Sequence, residues 1–313
     1  MYNSGKYIAN CLDSILASDL PKERYEVVIV NDGSQDNGPD IAKKYVEKKT
    51  NLKYIEQSNQ GQSVARNTGI GVSEGEYIWC VDSDDMIEKN INYILDKIEE
   101  LGNPDIFSTK LKYVTESGKY LTCVWDFPNN MNRLMKGREA IINGYNPSSV
   151  CVLFIKKELM IRNSLAFYPG ITHQDSELSY KLFAHADTVF FSEFVPYIYI
   201  RHPNTTLTSK DRKKIIKRHI DDIVIVKSFA NLAKKFEKSD PELAKVISQQ
   251  SKSLNFGIVY SLYKNNKELK PLGISKEVLE TMRKEGLYPL KGSYGSFGKN
   301  LFSKLLNLKF FVQ

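Results

Sequence analysis

The most constraining feature of the sequence is a rhythm over residues 25–102, where apolar runs end on acids and are separated by helical stretches. YEVVIVND, residues 25–32, is apolar without alternation, as a strand buried on both faces must be. Residues 36–48 then read as a helix, LKYIEQ (52–57) as a second strand, and GQSVARNTGIGVS (61–73) as a small-residue helix able to pack closely on a sheet. GEYIWCVD (75–82) reads as a third strand, and EKNINYILDKIEELG (88–102) as an amphipathic helix with Ile91, Leu95 and Ile98 on one face. This alternation predicts an α/β fold with a doubly wound, mostly parallel sheet, whose ligands bind beyond the carboxyl ends of the strands. Asn31-Asp32 and Asp82 to Asp85 both fall at such ends.

After Asn103 the rhythm weakens. DIFSTKLKYVTESGKYLTCVW (105–125) predicts a hairpin turning at Glu116-Ser117-Gly118, followed by a basic helix around Arg138 and a strand at VCVLFI (150–155). HQDSELSYKLFAHA (173–186) predicts a helix, with DTVFF and PYIYI as short strands behind it. From Ser209 the pattern is helical, in blocks near 209–237, 241–265 and 274–285, after the polar segment RHPNTTLTS. The expected organisation is an α/β region in two halves, 1–102 and 103–208, and a helical module over 209–313.

A chain of 313 residues, 42% hydrophobic, can bury a sizeable core, and its net charge of +7 is too mild to choose between an anionic substrate, a membrane surface and nucleic acid. The basic helix alone, without interleaved aromatics or a recognised module, gives no case for nucleic acid. Cys11, Cys80, Cys123 and Cys151 have no CxxC spacing, which speaks against a disulfide framework or a zinc site. No stretch approaches the roughly 20 apolar residues of a membrane span, and the N-terminus lacks a signal pattern, so a cytoplasmic location is expected.

In a strand, residues two apart share a side, so Asp82 and Asp84 can point into one pocket while Asp85 begins the turn. Oxygen ligands of this kind suit magnesium or manganese. A solvated turn capping the following helix explains the same residues. Asp32 adds a second acidic strand end before a glycine turn and could accept a hydrogen bond from a base or ribose. Arg66 is the one cation on a small, polar helical segment, where its fork can bind phosphate or pair with the acids; a plain surface residue is the alternative.

YNSGKYIANCLDSIL, VVIVNDGSQD, NQGQSVARNTGI and YIWCVDSDD occur in the order and approximate spacing of family 2 glycosyltransferases, and HQDSELSYKLFAHA with YIRHPNTTLTS resembles that family's acceptor-side segment. The resemblance covers residues 2 to about 209. It implies a GT-A, Rossmann-like domain that binds a nucleoside-diphosphate sugar, here expected to be a UDP-sugar, and transfers the sugar with inversion to a glycan or lipid-linked acceptor in surface polysaccharide synthesis. By the same likeness Tyr2, Asp32, Arg66 and Asp82 would hold the nucleotide. Asp84 would bind Mn2+ or Mg2+, with His202 approaching the diphosphate or metal, and Asp175 would be the base. Where the family presents Glu-Asp, this chain has Gln174-Asp175, with Glu177 two residues on.

The family's first strand has no counterpart before Tyr2, and an upstream start adding about ten residues, a strand of ordinary length, is expected; a chain truly beginning at Met1 would be unstable or a poor catalyst. The end of the chain, KNLFSKLLNLKFFVQ, sets Leu and Phe among lysines and has no acid after Glu285. Such a composition suits an interfacial helix on anionic lipid at the inner membrane face, and equally a final helix docked on the core. Two other classes are weighed against the transferase: a non-catalytic nucleotide-sugar-binding protein, and a phosphatase of the haloacid dehalogenase type, in which DxD also follows an apolar strand.

Overall fold

The structure is a computed structural model that describes residues 1–123, 133–202, 211–294 and 296–308. The chain divides into two compact units, Met1–Gly170 with Gln174–Pro203, and Ile171–His173 with Asn204–Gln313.

In the first unit, α1 (Ile8–Leu16) precedes β1 (Val27–Asp32), α2 (Gly38–Val46), β2 (Leu52–Gln57) and α3 (Gln62–Val72). β1 and β2 pair in parallel from Val27↔Leu52 to Asp32↔Gln57, the pairing that their apolar runs demand. The amino group of Met1 donates to the Val30 carbonyl and the Asp32 amide donates to the Met1 carbonyl, so Met1 lies against the end of β1. Ile8, Leu12, Ile29, Ala42 and Leu52 form one buried cluster of this half.

Next come β3 (Tyr77–Trp79), β4 (Met86–Ile87), α4 (Asn92–Glu100), β5 (Ile106–Ser108), β6 (Leu111–Thr115) and β7 (Tyr120–Cys123). The third strand is shorter than predicted. It leaves the ladder after Trp79, and Asp82 to Asp85 form a turn closed by the Asp85 amide on the Asp82 carbonyl at 3.1 Å. The acids therefore do not alternate along a strand. The predicted hairpin also splits: β5 joins one sheet, and only β6 and β7 form the hairpin, turning through Glu116-Ser117-Gly118 as expected. Trp125, at the end of that predicted segment, lies outside the described residues.

The unit is completed by α5 (Gly137–Ile142), β8 (Leu153–Lys156), α6 (Lys157–Arg162), α7 (Gln174–His185), β9 (Val189–Phe191) and β10 (Tyr197–Arg201). α6 follows β8 without a break, too short for its period to stand out in the sequence. The sheet orders are β1-β2, β3-β8-β5-β9 and β4-β10-β6-β7; β5 with β9 and β6 with β10 run parallel, whereas β8 runs antiparallel to both its neighbours. Buried Phe107 and Phe154, with Ile91, Ile94 and Ile98 leading into and along α4, form the core behind these sheets.

The second unit is helical: α8 (Arg212–Phe236), α9 (Pro241–Lys264), α10 (Asn266–Leu269), α11 (Ile274–Lys284) and α12 (Phe297–Leu306). Asp211 and Asp240 cap α8 and α9 by accepting from Lys214 and Leu243 amides. Val226, Val259, Leu262, Val278 and Met282 lie in its buried core. Among the described residues no helix is long and apolar enough to cross a membrane.

Candidate functional site

The loop after β1 is built around a glycine. Gly33 has φ +72°, and a Cβ there would stand 2.8 Å from the Asn59 amide nitrogen. Asp32, 3% exposed, accepts from the Gln57 side-chain amide (2.8 Å) and from the backbone amides of Gln60 (2.9 Å) and Gly61 (2.8 Å). Its carboxylate thus fixes the loop that starts α3, a task its sequence position did not reveal. Asp36 accepts from the Gly38 and Gly5 amides, and Asn3 exchanges hydrogen bonds with Ser34 and Gln35, so the N-terminal turn lies on this loop. Tyr2, at its start, is 51% exposed. Ser4 Oγ meets Ser83 Oγ at 2.8 Å, which joins the same turn to the 82–85 turn.

One face of α3 supplies Gln62, Ser63, Arg66 and Asn67, at the i, i+3 and i+4 spacing that aligns side chains on a helix. Arg66 is the pivot. One guanidinium nitrogen donates to Asp82 Oδ1 at 2.6 Å and the other to Asp175 Oδ1, while its carbon lies 5.1 Å from the centre of the Phe167 ring. Its side chain is 10% exposed against 27% for Asp82 and 26% for Asp175. Burial alone would lower the guanidinium's pKa, but the two carboxylates outweigh it and hold it well above its ordinary value. Arg66 is therefore not a plain surface residue.

Gln174 is 5% exposed and both ends of its amide are used. Its oxygen accepts from Ser63 Oγ (2.6 Å), its nitrogen donates to Gln62 Oε1 (2.6 Å), and Gln62 Nε2 in turn donates to Asp82 Oδ1 (3.2 Å). Each link runs in one direction, and a carboxylate at 174 could not donate to Gln62. Where the sequence departs from the family's Glu-Asp pair, the departure serves this relay. An amide-rich NQGQS segment together with a lone Gln before Asp175 was the available signal.

The three acids of the 82–85 turn separate. Asp82 accepts from Arg66 and Gln62, and its amide donates to the Tyr197 hydroxyl at 3.1 Å. Asp85, 2% exposed, accepts from the Tyr197 hydroxyl (2.6 Å) and the Ile200 amide (2.8 Å). Its side chain thus ties the turn to β10, where the sequence suggested service to the turn alone. Burial, then the Asp82 charge, push the Asp85 carboxyl up to about 8. Asp84 has its side chain 49% exposed, and burial followed by the Asp82 charge raise its pKa.

His202 stands beside Asp84, with Nε2 3.3 Å from the Asp84 carbonyl and 4.0 Å from Oδ2. Its Nδ1 lies 2.7 Å from Glu116 Oε1, and its ring packs 4.4 Å from that of Tyr7. Glu116, at the turn of the β6–β7 hairpin, meets the histidine across the fold, a contact that the sequence did not announce. With Nδ1 held by Glu116, Nε2 faces the Asp84 carbonyl and carboxylate, where it can ligate a cation. Asp84 and His202 therefore fit a divalent ion. Among the described residues no group of three or more His, Cys, Asp or Glu side chains is placed to hold one, so phosphate oxygens and water would have to complete the coordination. Cys11, Cys80 and Cys151 are raised by burial, the first two to about 12, and stay thiols.

The site thus brings Arg66, Asp82 and Asp175 into direct contact, sets Asp84 beside His202 in the adjoining turn, and leaves Asp32 and Tyr2 on the flanking loops. The profile described as Glycosyl transferase family 2 matches residues 1–158, about half of the sequence. The chain belongs to glycosyl transferase family 2. It is accordingly a glycosyltransferase, and the phosphatase reading falls away. Among relatives, the uncharacterised glycosyltransferase EpsJ of Bacillus subtilis (strain 168) is 31% identical over 70% of this chain, which spans 64% of EpsJ. Among solved structures, S. aureus TarS 1-349 in complex with UDP-GlcNAc superposes with a TM-score of 0.58 at 21% identity, covering 91% of this chain and 90% of that one. The mannosyltransferase PcManGT of Pyrobaculum calidifontis, in complex with GDP-Man and Mn2+, gives 0.57 at 18% identity over 99% of this chain and 85% of that one. These similarities establish the α/β GT-A fold with its helical C-terminal part.

Proposed function

We propose that this family 2 enzyme transfers a sugar, with inversion, from a UDP-sugar to a glycan or lipid-linked acceptor in the assembly of a surface polysaccharide. The observation that carries the reading is the Arg66 fork, which gathers the donor-side acid Asp82 and the acceptor-side acid Asp175 into one pocket. Asp175 takes the proton from the acceptor hydroxyl as that oxygen bonds to the anomeric carbon and the nucleoside diphosphate leaves from the opposite face. The guanidinium of Arg66 holds the Asp175 carboxylate in this pocket, where the acceptor hydroxyl would meet it.

Asp32 and Tyr2 flank the nucleotide from the loop after β1 and the N-terminal turn, and Asp82 and Arg66 receive its ribose and phosphate side. Asp84 and His202 would hold Mn2+ or Mg2+, which supplies positive charge against the charge growing on the departing diphosphate. The similarity to proteins solved with UDP-GlcNAc and with GDP-Man and Mn2+ supports a nucleotide-sugar donor and a divalent ion. The test is to incubate the protein with a panel of nucleotide sugars, glycan acceptors and manganese and to follow nucleoside diphosphate release. Acceptor-stimulated release from a UDP-sugar is expected. Donor binding without any turnover would leave a binding protein instead.

A further inference from the structure

α12 carries a stripe of large apolar side chains that nothing among the described residues covers. Phe297 is 85% exposed, Leu301 54%, Leu305 41% and Leu308, just past the helix, 53%. At about 100° per residue these positions fall within an arc of roughly 80°. The stripe does not come from an undocked helix. The opposite face is anchored: Leu306 is 1% exposed in the unit's core, Tyr288 Oη donates to the Leu306 carbonyl at 3.0 Å, and the Asn307 side chain exchanges two hydrogen bonds with the Leu290 backbone, at 2.7 and 2.8 Å. One face of α12 is thus docked on the core of its unit and the other is exposed. Phe302, partly buried, leads from the stripe to Tyr260 of α9, itself 42% exposed, with ring centres 6.0 Å apart.

The charged residues of the segment that carries the stripe are of one sign. Lys304 borders it, Lys291 and Lys299 are exposed elsewhere in the same segment, and the sequence has no acid after Glu285. An apolar stripe bordered by a lysine in a segment without acids, with an exposed tyrosine at its margin and too short to span a bilayer, has the chemistry of an element that lies in a membrane interface. A second copy of the chain would present the same lysines and meet them with like charge.

We propose that the exposed face of α12 docks this enzyme on an anionic lipid surface, the apolar stripe entering the headgroup boundary and the lysines pairing with lipid phosphates. The inference goes beyond the transferase reading, and its test is separable from it. The full chain is floated with vesicles of phosphatidylcholine alone and with vesicles containing 30 mol% phosphatidylglycerol, an amount on the order of that used to mimic an anionic leaflet. Binding only to the anionic vesicles is expected, with about a fivefold loss for K304A and a further loss on adding salt. F297S/L301S/L305S, confined to exposed positions, should lower binding by at least about tenfold. The same variant should transfer sugar to a soluble acceptor, with release of nucleoside diphosphate, at the wild-type rate, so that a failed transferase and a failed docking face give different results. Equal vesicle binding by the triple variant overturns the proposal. So does a wild-type chain that binds no vesicles but sediments as a dimer which the triple variant dissolves.

Discussion

Replacing Arg66 by Ala leaves Asp82 and Asp175 facing each other across the space the guanidinium filled. Removing one member of a buried ion pair costs about 3–5 kcal/mol, whereas an exposed pair is worth about 0–1 kcal/mol. Arg66 belongs to the first class at 10% exposure, but each acid keeps about a quarter of its side chain in water, 27% and 26%, and can be rehydrated. The intermediate value, about 2–3 kcal/mol, is the expected loss. The lost packing on Phe167 adds about 0.5–1 kcal/mol. Trp79 lies in the first unit, so a urea titration followed by tryptophan fluorescence reports on that unit. Arg66→Ala/Asp175→Asn should recover part of the loss, because one of the two like charges left facing each other is gone. A single variant that costs under about 0.5 kcal/mol, or a double variant no better than the single, would refute the idea that the guanidinium holds this pocket together.

Further outcomes follow from neighbouring residues. Gln174→Glu puts an acceptor where Gln62 needs a donor; a loss of about 1–3 kcal/mol is expected in the same titration, with weaker donor binding, while wild-type values would dismiss the relay. The Asp85 carboxyl titrates near 8 in the folded protein against 3.8 ordinarily, so the native state keeps a proton that the unfolded chain releases. The stability this contributes is complete below the unfolded value and is lost as pH rises to about 8, at up to about 1.4 kcal/mol per pH unit. Asp85→Asn can still accept from Ile200 and donate to Tyr197, so metal-free unfolding measured from pH 4 to 8 should flatten relative to wild type; parallel profiles would contradict the assignment. Gly33→Ala should cost more than about 1 kcal/mol, since the new Cβ meets both a positive φ and the Asn59 amide, and a neutral effect would mean the loop can shift.

What the sequence revealed, and what it hid, divide along physical lines. β2 was legible to the residue, and α3 and α7 to within one or two, because their burial follows from their own period. β3 was overread: Cys80 and Val81 continue an apolar run, yet the ladder stops at Trp79 because the chain must turn to bring Met86 and Ile87 against β10. The acids and Arg66 could be found by residue type and position. Their partners could not, since Glu116 reaches His202 and Gln174 reaches Ser63 across 86 and 111 residues of sequence. Asp32 illustrates the limit from the other side, its acidity conspicuous in the sequence and its grip on the Gln60–Gly61 backbone visible only in the fold.

The central claim is that Asp175 is the base of a sugar transfer carried out in the pocket that Arg66 organises. Asp175→Asn keeps the shape and a hydrogen-bond acceptor for Arg66 but cannot take a proton. With a UDP-sugar that the wild type turns over, the variant should bind the donor with an unchanged Kd while acceptor-dependent nucleoside diphosphate release falls at least about 100-fold. Release at the wild-type rate, with donor binding intact, would contradict the account.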